Sequence, residues 1–183
     1  MGLCYRYDAS GPMGTTEITV SWAEYHELIE NLAIQLAQAG WNGDAVVAVA
    51  RGGLRVGDVL SRLFRKPLAV VAAASYGPDR QRQSLRLGTG IAFAGETLGD
   101  RLLVVDDMVD SGETLAQLVP QLQAQLQPVS LQTAVLWYKG RSRFVPDFYA
   151  RYLPDNPWIR QPFERYDTLS VADLLAGKAQ PLP

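Results

Sequence analysis

The chain is poor in the residues that build metal centres and disulfides. It has one cysteine, Cys4, and one histidine, His26, in 183 residues. A lone cysteine cannot form a disulfide within the chain, which suits a reducing compartment. A lone histidine beside a lone cysteine does not make a His/Cys metal cluster. His26 falls inside a helical pattern and is expected to pack or to face solvent. Excess charge is also lacking: Lys and Arg total 17 against 19 Asp and Glu, a net charge of −2. No bulk charge therefore points to a nucleic acid or an anionic membrane. No apolar run approaches the roughly 20 residues that span a bilayer. The first 20 residues carry no apolar core followed by a cleavage site. A cytoplasmic protein with no membrane or nucleic-acid partner is expected. Gly-x-x-x-x-Gly-Lys-Ser/Thr is missing, which excludes a P-loop, and Gly88-Thr89-Gly90 lacks the spacing of a dinucleotide loop.

What is present is an ordinary globular balance, 48% apolar and 20% charged, enough for one domain over 1–183. Residues 1–20 read as an irregular arm. Ser21 and Glu24 have capping-box spacing, and Leu28, Ile29, Leu32 and Leu36 then recur at helical intervals up to a stop at Gly40. Ala45 to Ala50 is an apolar, β-branched run without alternation, the mark of a strand covered on both faces. Arg51-Gly52-Gly53 breaks it, and a helical pattern follows from Leu54 to Phe64. Leu68 to Ala74 is another apolar run. Residues 77–100 are rich in Gly, Arg and Gln and show little apolar periodicity, so a flexible lid is expected there. Leu102 to Val105 is a strand, Thr114 to Leu126 a helix and Ser130 to Tyr138 a strand. Residues 139–168, rich in Pro, Arg and aromatics, read as an irregular cap, and Val171 to Ala176 as a short last helix. Trp22, Trp41 and Trp137 read as structural. Alternating strands and helices predict an α/β fold with a mainly parallel sheet flanked by helices.

The densest chemistry lies in Leu102-Leu103-Val104-Val105-Asp106-Asp107-Met108-Val109-Asp110-Ser111-Gly112-Glu113-Thr114-Leu115. The apolar residues suit an interior parallel strand. The carboxylates after them are expected to emerge at the carboxyl end of the sheet, because unpaired buried charge costs several kcal/mol and open α/β sheets bind ligands at that end. Gly112 permits close backbone approach. The N–H groups and dipole of the next helix make an anion site, to which Ser111 and Thr114 can add hydroxyl donors. Carboxylate acceptors suit sugar hydroxyls or a magnesium shell, and the cradle suits a phosphate. A sugar phosphate with a metal needs both.

This stretch resembles the motif by which type I phosphoribosyltransferases bind phosphoribosyl pyrophosphate (PRPP). Val49-Ala50-Arg51-Gly52-Gly53-Leu54 looks like the family's pyrophosphate loop. Trp158-Ile159-Arg160-Gln161-Pro162-Phe163-Glu164 looks like the cap of its xanthine-guanine and hypoxanthine-guanine members. The resemblance runs from about Ser21 to Glu164. It implies PRPP contacts from Arg51, Gly52, Gly53, Asp106, Asp107, Asp110 and the Ser111-Gly112-Glu113-Thr114 cradle, with Asp107 toward Mg2+. It implies a general base at Asp110, a purine-oxygen contact from Lys139, base stacking by Trp158 and a backbone contact from Ile159, within a base-binding cap over 139–168. The activity implied is transfer of phosphoribose from PRPP to a 6-oxopurine base with release of pyrophosphate, by a homodimer or homotetramer. The family's other mode, a PRPP- or nucleotide-sensing regulator, stays open. Two departures stand out. Glu113 adds negative charge to the phosphate loop and is expected to face solvent. The lid also has no lysine, leaving Arg82 or Arg86 to meet pyrophosphate, or Arg80, Arg82 and Arg86 only to keep the loop soluble.

Overall fold

The computed structural model describes residues 17–76 and 82–178. Cys4 and Arg80 lie outside the described residues, as do the side chains of Arg82 and Arg86. Residues 28–155 form one compact unit, and the flanking segments before and after them form a second.

The larger unit is built on β2 (Ala45–Ala50), α2 (Gly53–Phe64), β3 (Leu68–Tyr76), β4 (Arg82–Phe93), β5 (Arg101–Val109), α3 (Glu113–Leu126), β6 (Ser130–Lys139) and β7 (Phe148–Leu153). Its sheet has the order β4-β3-β2-β5-β6-β7. All neighbours are parallel except β3 and β4. The α/β expectation therefore holds. The apolar runs of β2 and β5 are buried throughout Ala45 to Val49 and Leu102 to Val105, as strands covered on both faces must be. On one face, Val47, Val49, Leu102 and Val104 join Leu115, Leu118 and Leu122 of α3 in a single core. On the other, a Cβ on Gly57 would stand 2.6 Å from Ala48 Cβ and 3.2 Å from Val105 Cγ2. Glycine there lets α2 sit directly on β2 and β5, which offsets its poor helix propensity. At the opposite end of the same strands, Asp44 accepts the N–H groups of Asp100 and Arg101 and pairs with the Arg101 guanidinium at 2.8 Å. These bonds hold the Asp44 carboxyl down at about 2.

The strand order reverses beside β2. From β2 the chain passes through α2 to β3 on one side, and from β5 through α3 to β6 on the other. Pairing of β2 with β5 stops at Ala48 and Val105, whereas β5 and β6 stay paired to Val109 and Tyr138. The carboxyl ends of β2 and β5 thus flank a topological switch point, the usual ligand crevice of open α/β sheets.

Several segments differ from their sequence reading. Residues 82–93, read as part of an aperiodic lid, contain an edge strand antiparallel to β3. Leu85, Leu87, Thr89, Ile91 and Phe93 do alternate, but the glycines and arginines between them hide the period; Ile91 and Phe93 pack on the core. Within 139–168, β7 is a full member of the main sheet. It is reached by a return loop, 140–147, that carries no helix, although parallel crossovers usually need one. A clasp ends the loop: Asp147 accepts both the N–H and the hydroxyl of Thr133 at 2.7 Å, and its own N–H donates back to Thr133 Oγ1 at 3.0 Å.

The second unit contains β1 (Glu17–Thr19), inside the segment read as an arm. β1 pairs in parallel with β8 (Trp158–Arg160), and Arg160 pairs with Glu17 at 2.9 Å. The helix α1 (Trp22–Gln38) starts here with the expected capping box, Ser21 N–H and hydroxyl each donating to Glu24 at 2.8 Å. Phe163 packs edge-on against Tyr25. A 3-10 turn (Glu164–Asp167) and α4 (Val171–Leu175) follow. Leu28, Ile29, Leu32 and Leu36 of α1 are buried, as their spacing requires. His26 lies exposed beside Trp22, in keeping with a surface role.

Candidate active site

Three loops meet at the carboxyl ends of β2, β5 and β6. The first, Arg51-Gly52-Gly53, follows β2 through a cis Ala50–Arg51 peptide. It lies against the acidic pair. A Cβ on Gly52 would fall within 3.0 Å of Asp107 Oδ1 and Asp106 Oδ1, and one on Gly53 within 3.0 Å of Asp106 Cα and the Val105 carbonyl. The backbone of Gly53 acts to lower the Asp106 carboxyl, against the effect of its burial. Only glycine fits at Gly52 without displacing the carboxylates, and at Gly53 without displacing the β5 backbone. Arg51 is exposed beside them.

Asp106 and Asp107 do not follow the strand, as expected, but lie inside it. β5 continues to Val109, and Asp106 pairs with Val135. Asp106 is buried, at 9% exposure. The backbone absorbs part of its polarity: Asp106 Oδ1 accepts the Asp107 N–H at 2.9 Å, and Asp107 Oδ1 accepts the Met108 N–H at 2.8 Å. Burial, with the charge of Asp107 next to it, pushes the Asp106 carboxyl well above the ordinary carboxylate range. A cation or a pair of hydroxyl donors beside these groups would relieve that cost. Among the described residues no cluster of three or more His, Cys, Asp or Glu side chains is placed to hold a metal. The pair nevertheless fits Mg2+, which is commonly bound through one or two carboxylates together with substrate oxygens.

The second loop joins β5 to α3. Gly112 is the N-cap residue of α3, with φ +82°, a left-handed conformation open to glycine, and it brings no side chain to the first turn. That turn presents N–H groups and the positive end of the helix dipole to the crevice. Ser111 Oγ accepts the Glu113 N–H at 3.4 Å. The Glu113 side chain is exposed, as its charge requires. Gly112 has a second reason to be glycine: a Cβ there would stand 2.6 Å from Ser142 Oγ and 2.8 Å from Phe144 Cβ.

Those neighbours belong to the third loop, 140–147. Its Arg143 N–H donates to the Ser111 carbonyl at 3.1 Å, and Ser142 Oγ bridges the Phe144 N–H and carbonyl. At its root Lys139 is buried, at 3% exposure, with Nζ 3.6 Å from Asp110 Oδ1. Arg141, which sequence reading passed over, meets both oxygens of Asp110 with Nε and a terminal nitrogen. Burial alone would raise the Asp110 carboxyl. The Arg141 hydrogen bond and the charges of Lys139 and Arg141 outweigh it, and the carboxyl is held below its ordinary value.

The larger unit thus brings together Arg51, Gly52, Gly53, Asp106, Asp107, Asp110, Ser111 to Thr114 and Lys139. Trp158 and Ile159 belong to the second unit. Ile159 is buried opposite Ile18 in the β1–β8 ladder, and the Trp158 ring is 55% exposed.

Comparison with known proteins agrees with this fold. The phosphoribosyl transferase domain model matches residues 21–168. A xanthine-guanine phosphoribosyltransferase of Idiomarina loihiensis is 32% identical over 164 residues, 88% of this chain and 94% of that protein. Among solved structures, a purine phosphoribosyltransferase from Pyrococcus horikoshii superposes with TM-score 0.67 at 26% identity, over 84% of this chain and 98% of its own. The Helicobacter pylori xanthine-guanine-hypoxanthine phosphoribosyltransferase shares the fold with TM-score 0.69 at 24% identity, over 87% and 99% of the two chains.

Proposed function

This chain belongs to the phosphoribosyl transferase domain family, and on that premise we propose that it transfers phosphoribose from PRPP to a 6-oxopurine: guanine, xanthine or hypoxanthine. The products are a nucleoside monophosphate and pyrophosphate. One observation carries the reading: the Asp106–Asp107 pair, backed by Gly52 and Gly53, lies at the same switch point as the N-terminus of α3. Backbone N–H groups of Ser111 to Thr114 hold the 5′-phosphate, and the acidic pair faces the ribose hydroxyls. Asp107 is the residue that would hold Mg2+, which when bound supplies positive charge against the departing pyrophosphate. Arg51 and the Gly52–Gly53 backbone border that leaving group.

The bond from C1′ to pyrophosphate oxygen breaks and a bond from C1′ to a purine nitrogen forms. Positive charge builds on the ribose ring meanwhile, as in glycoside chemistry. The proton lost by the purine goes to Asp110, which its cationic neighbours keep ionised and ready to accept it. Lys139 offers its ammonium to the purine's exocyclic oxygen.

Lys139→Ala is expected to raise the KM for the purine at least about tenfold, the scale of one charge-assisted hydrogen bond, while leaving the KM for PRPP within about twofold. Equal losses for both substrates, read from initial rates, would contradict the assignment. The reading as a whole is tested by incubating the protein with PRPP, magnesium and each nucleobase in turn and measuring pyrophosphate release. Release only with a 6-oxopurine is expected. Release with pyrimidines alone overturns the acceptor, and no release with any base, alongside nucleotide-dependent binding of another macromolecule, favours a regulator. The compartment proposed is the cytoplasm; no helix among the described residues is long and apolar enough to cross a membrane.

A further inference from the structure

Two cations two positions apart converge on one carboxylate. Lys139 comes from the end of β6 and Arg141 from the return loop, and both face Asp110. Their roles differ. Lys139 is buried, with its single ammonium 3.6 Å from Oδ1. Arg141 spans both oxygens, Nε to Oδ1 and a terminal nitrogen to Oδ2. A two-pronged guanidinium fixes the plane of a carboxylate, which a single ammonium cannot do. It occupies one acceptor site on each oxygen and leaves others open, since a carboxylate has about four.

An exposed arginine usually contributes little through its ion pair, because its side chain must be ordered to make it. Arg141 is half-exposed, but its backbone is held on both sides. The Gly140 N–H donates to the Leu153 carbonyl at 2.9 Å, the Ser142 N–H to the Lys139 carbonyl at 3.0 Å, and the Arg143 N–H to the Ser111 carbonyl at 3.1 Å. Phe144, three residues after Arg141, packs on the core. The same short loop is therefore tied to the end of β6, to β7 and to the phosphate loop, and Arg141 projects from its most constrained part.

We propose that Arg141 is a positioning residue for the reaction: it clamps Asp110 in the orientation in which the carboxylate accepts the purine proton, and it couples that orientation to the phosphate loop through the 140–144 backbone. The inference rests on Asp110 acting as the base. Removing the clamp frees the Asp110 side chain to rotate and to settle on Lys139. It also removes the nearer of the two charges that keep it ionised.

The experiment measures kcat, both KM values and the pH profile of kcat/KM for Arg141→Gln and Arg141→Lys. Each is made in the native chain and in an Asp110→Asn background, with thermal midpoints read beside the rates. Arg141→Gln is expected to lower kcat about tenfold, less than the roughly 10²-fold cost of a 1 Å misplacement, with the KM for PRPP unchanged within about twofold. The acid limb of kcat/KM moves to higher pH, because a partner that depresses the Asp110 carboxyl is gone. Arg141→Lys restores the position of that limb but not the full kcat. In the Asp110→Asn background, Arg141→Gln adds less than about twofold, as coupled residues require. An unchanged or raised kcat in Arg141→Gln overturns the proposal, as does a full additional loss in the Asp110→Asn background. Near-normal turnover of Asp110→Asn by itself removes the underlying assignment of the base, so the two failures are told apart.

Discussion

Asp110→Asn lowers turnover by about 10² to 10⁴-fold, the range for loss of a positioned general base. The substitution keeps the size of the side chain and removes its charge and its ability to take a proton. Its consequences spread through the cluster. Arg141 loses its two-pronged partner, and Lys139, buried at 3% exposure, loses a counter-charge. Weakening the ion pair of a buried ammonium is costly, so a lowered melting temperature accompanies the loss of rate. The two effects separate in a single-turnover measurement below the variant's melting range: a stability defect alone leaves the rate per folded molecule intact. Turnover within about threefold of the native rate would remove Asp110 from the chemistry.

Gly52→Ala is expected to be nearly as damaging, although it changes no charged or polar group. Its methyl would fall on Asp107 Oδ1 and within 3.0 Å of Asp106 Oδ1. Neither carboxylate retreats easily. Asp106 is buried in the β5–β6 ladder, and Asp107 is tied to the Met108 N–H. The loop must move instead, which shifts Gly53 where it lies against the Val105 carbonyl and Asp106 Cα. Overpacking of this kind costs about 1–3 kcal/mol of stability, and a displacement near 1 Å at a reacting centre costs roughly 10²-fold in rate. Weakened use of PRPP with unaltered purine binding is the expected pattern. A fully active Gly52→Ala, assayed at limiting PRPP, contradicts the picture of the first loop as a floor for the acidic pair.

Much of the fold was legible because its parallel strands are short, apolar and buried on both faces. Ala45 to Ala50 and Leu102 to Val105 can hardly be anything else once Gly and Asp bracket them. The edges of the sheet were not legible. β4 carries its apolar residues at alternate positions but dilutes them with Gly and Arg, and β7 has the tyrosines and arginine of a strand open on one side. An edge strand buries too little to write a strong pattern. At the site, Asp106 and Asp107 were read as leaving the sheet because buried carboxylates are expensive. The structure keeps Asp106 in the strand and meets that expense with neighbouring N–H groups and a raised carboxyl pKa. Arg141 had no local signal. Its importance depends on the return of β7 beside β6, which brings the intervening loop over Ser111 and Asp110, and a one-residue reading of Lys139-Gly140-Arg141 does not contain that. Gly112 was legible as a glycine position for one reason, approach to a ligand. Its left-handed backbone and its contact with Ser142 and Phe144 emerged only from the assembled loops.

The most direct test is a crystal structure of the protein grown with PRPP and magnesium. The expected electron density has the 5′-phosphate oxygens about 2.7–3.2 Å from main-chain nitrogens between Ser111 and Thr114, with the ribose hydroxyls turned to Asp106 and Asp107. A sugar phosphate bound elsewhere, with the amino end of α3 bare and both aspartates facing away from it, would contradict the account.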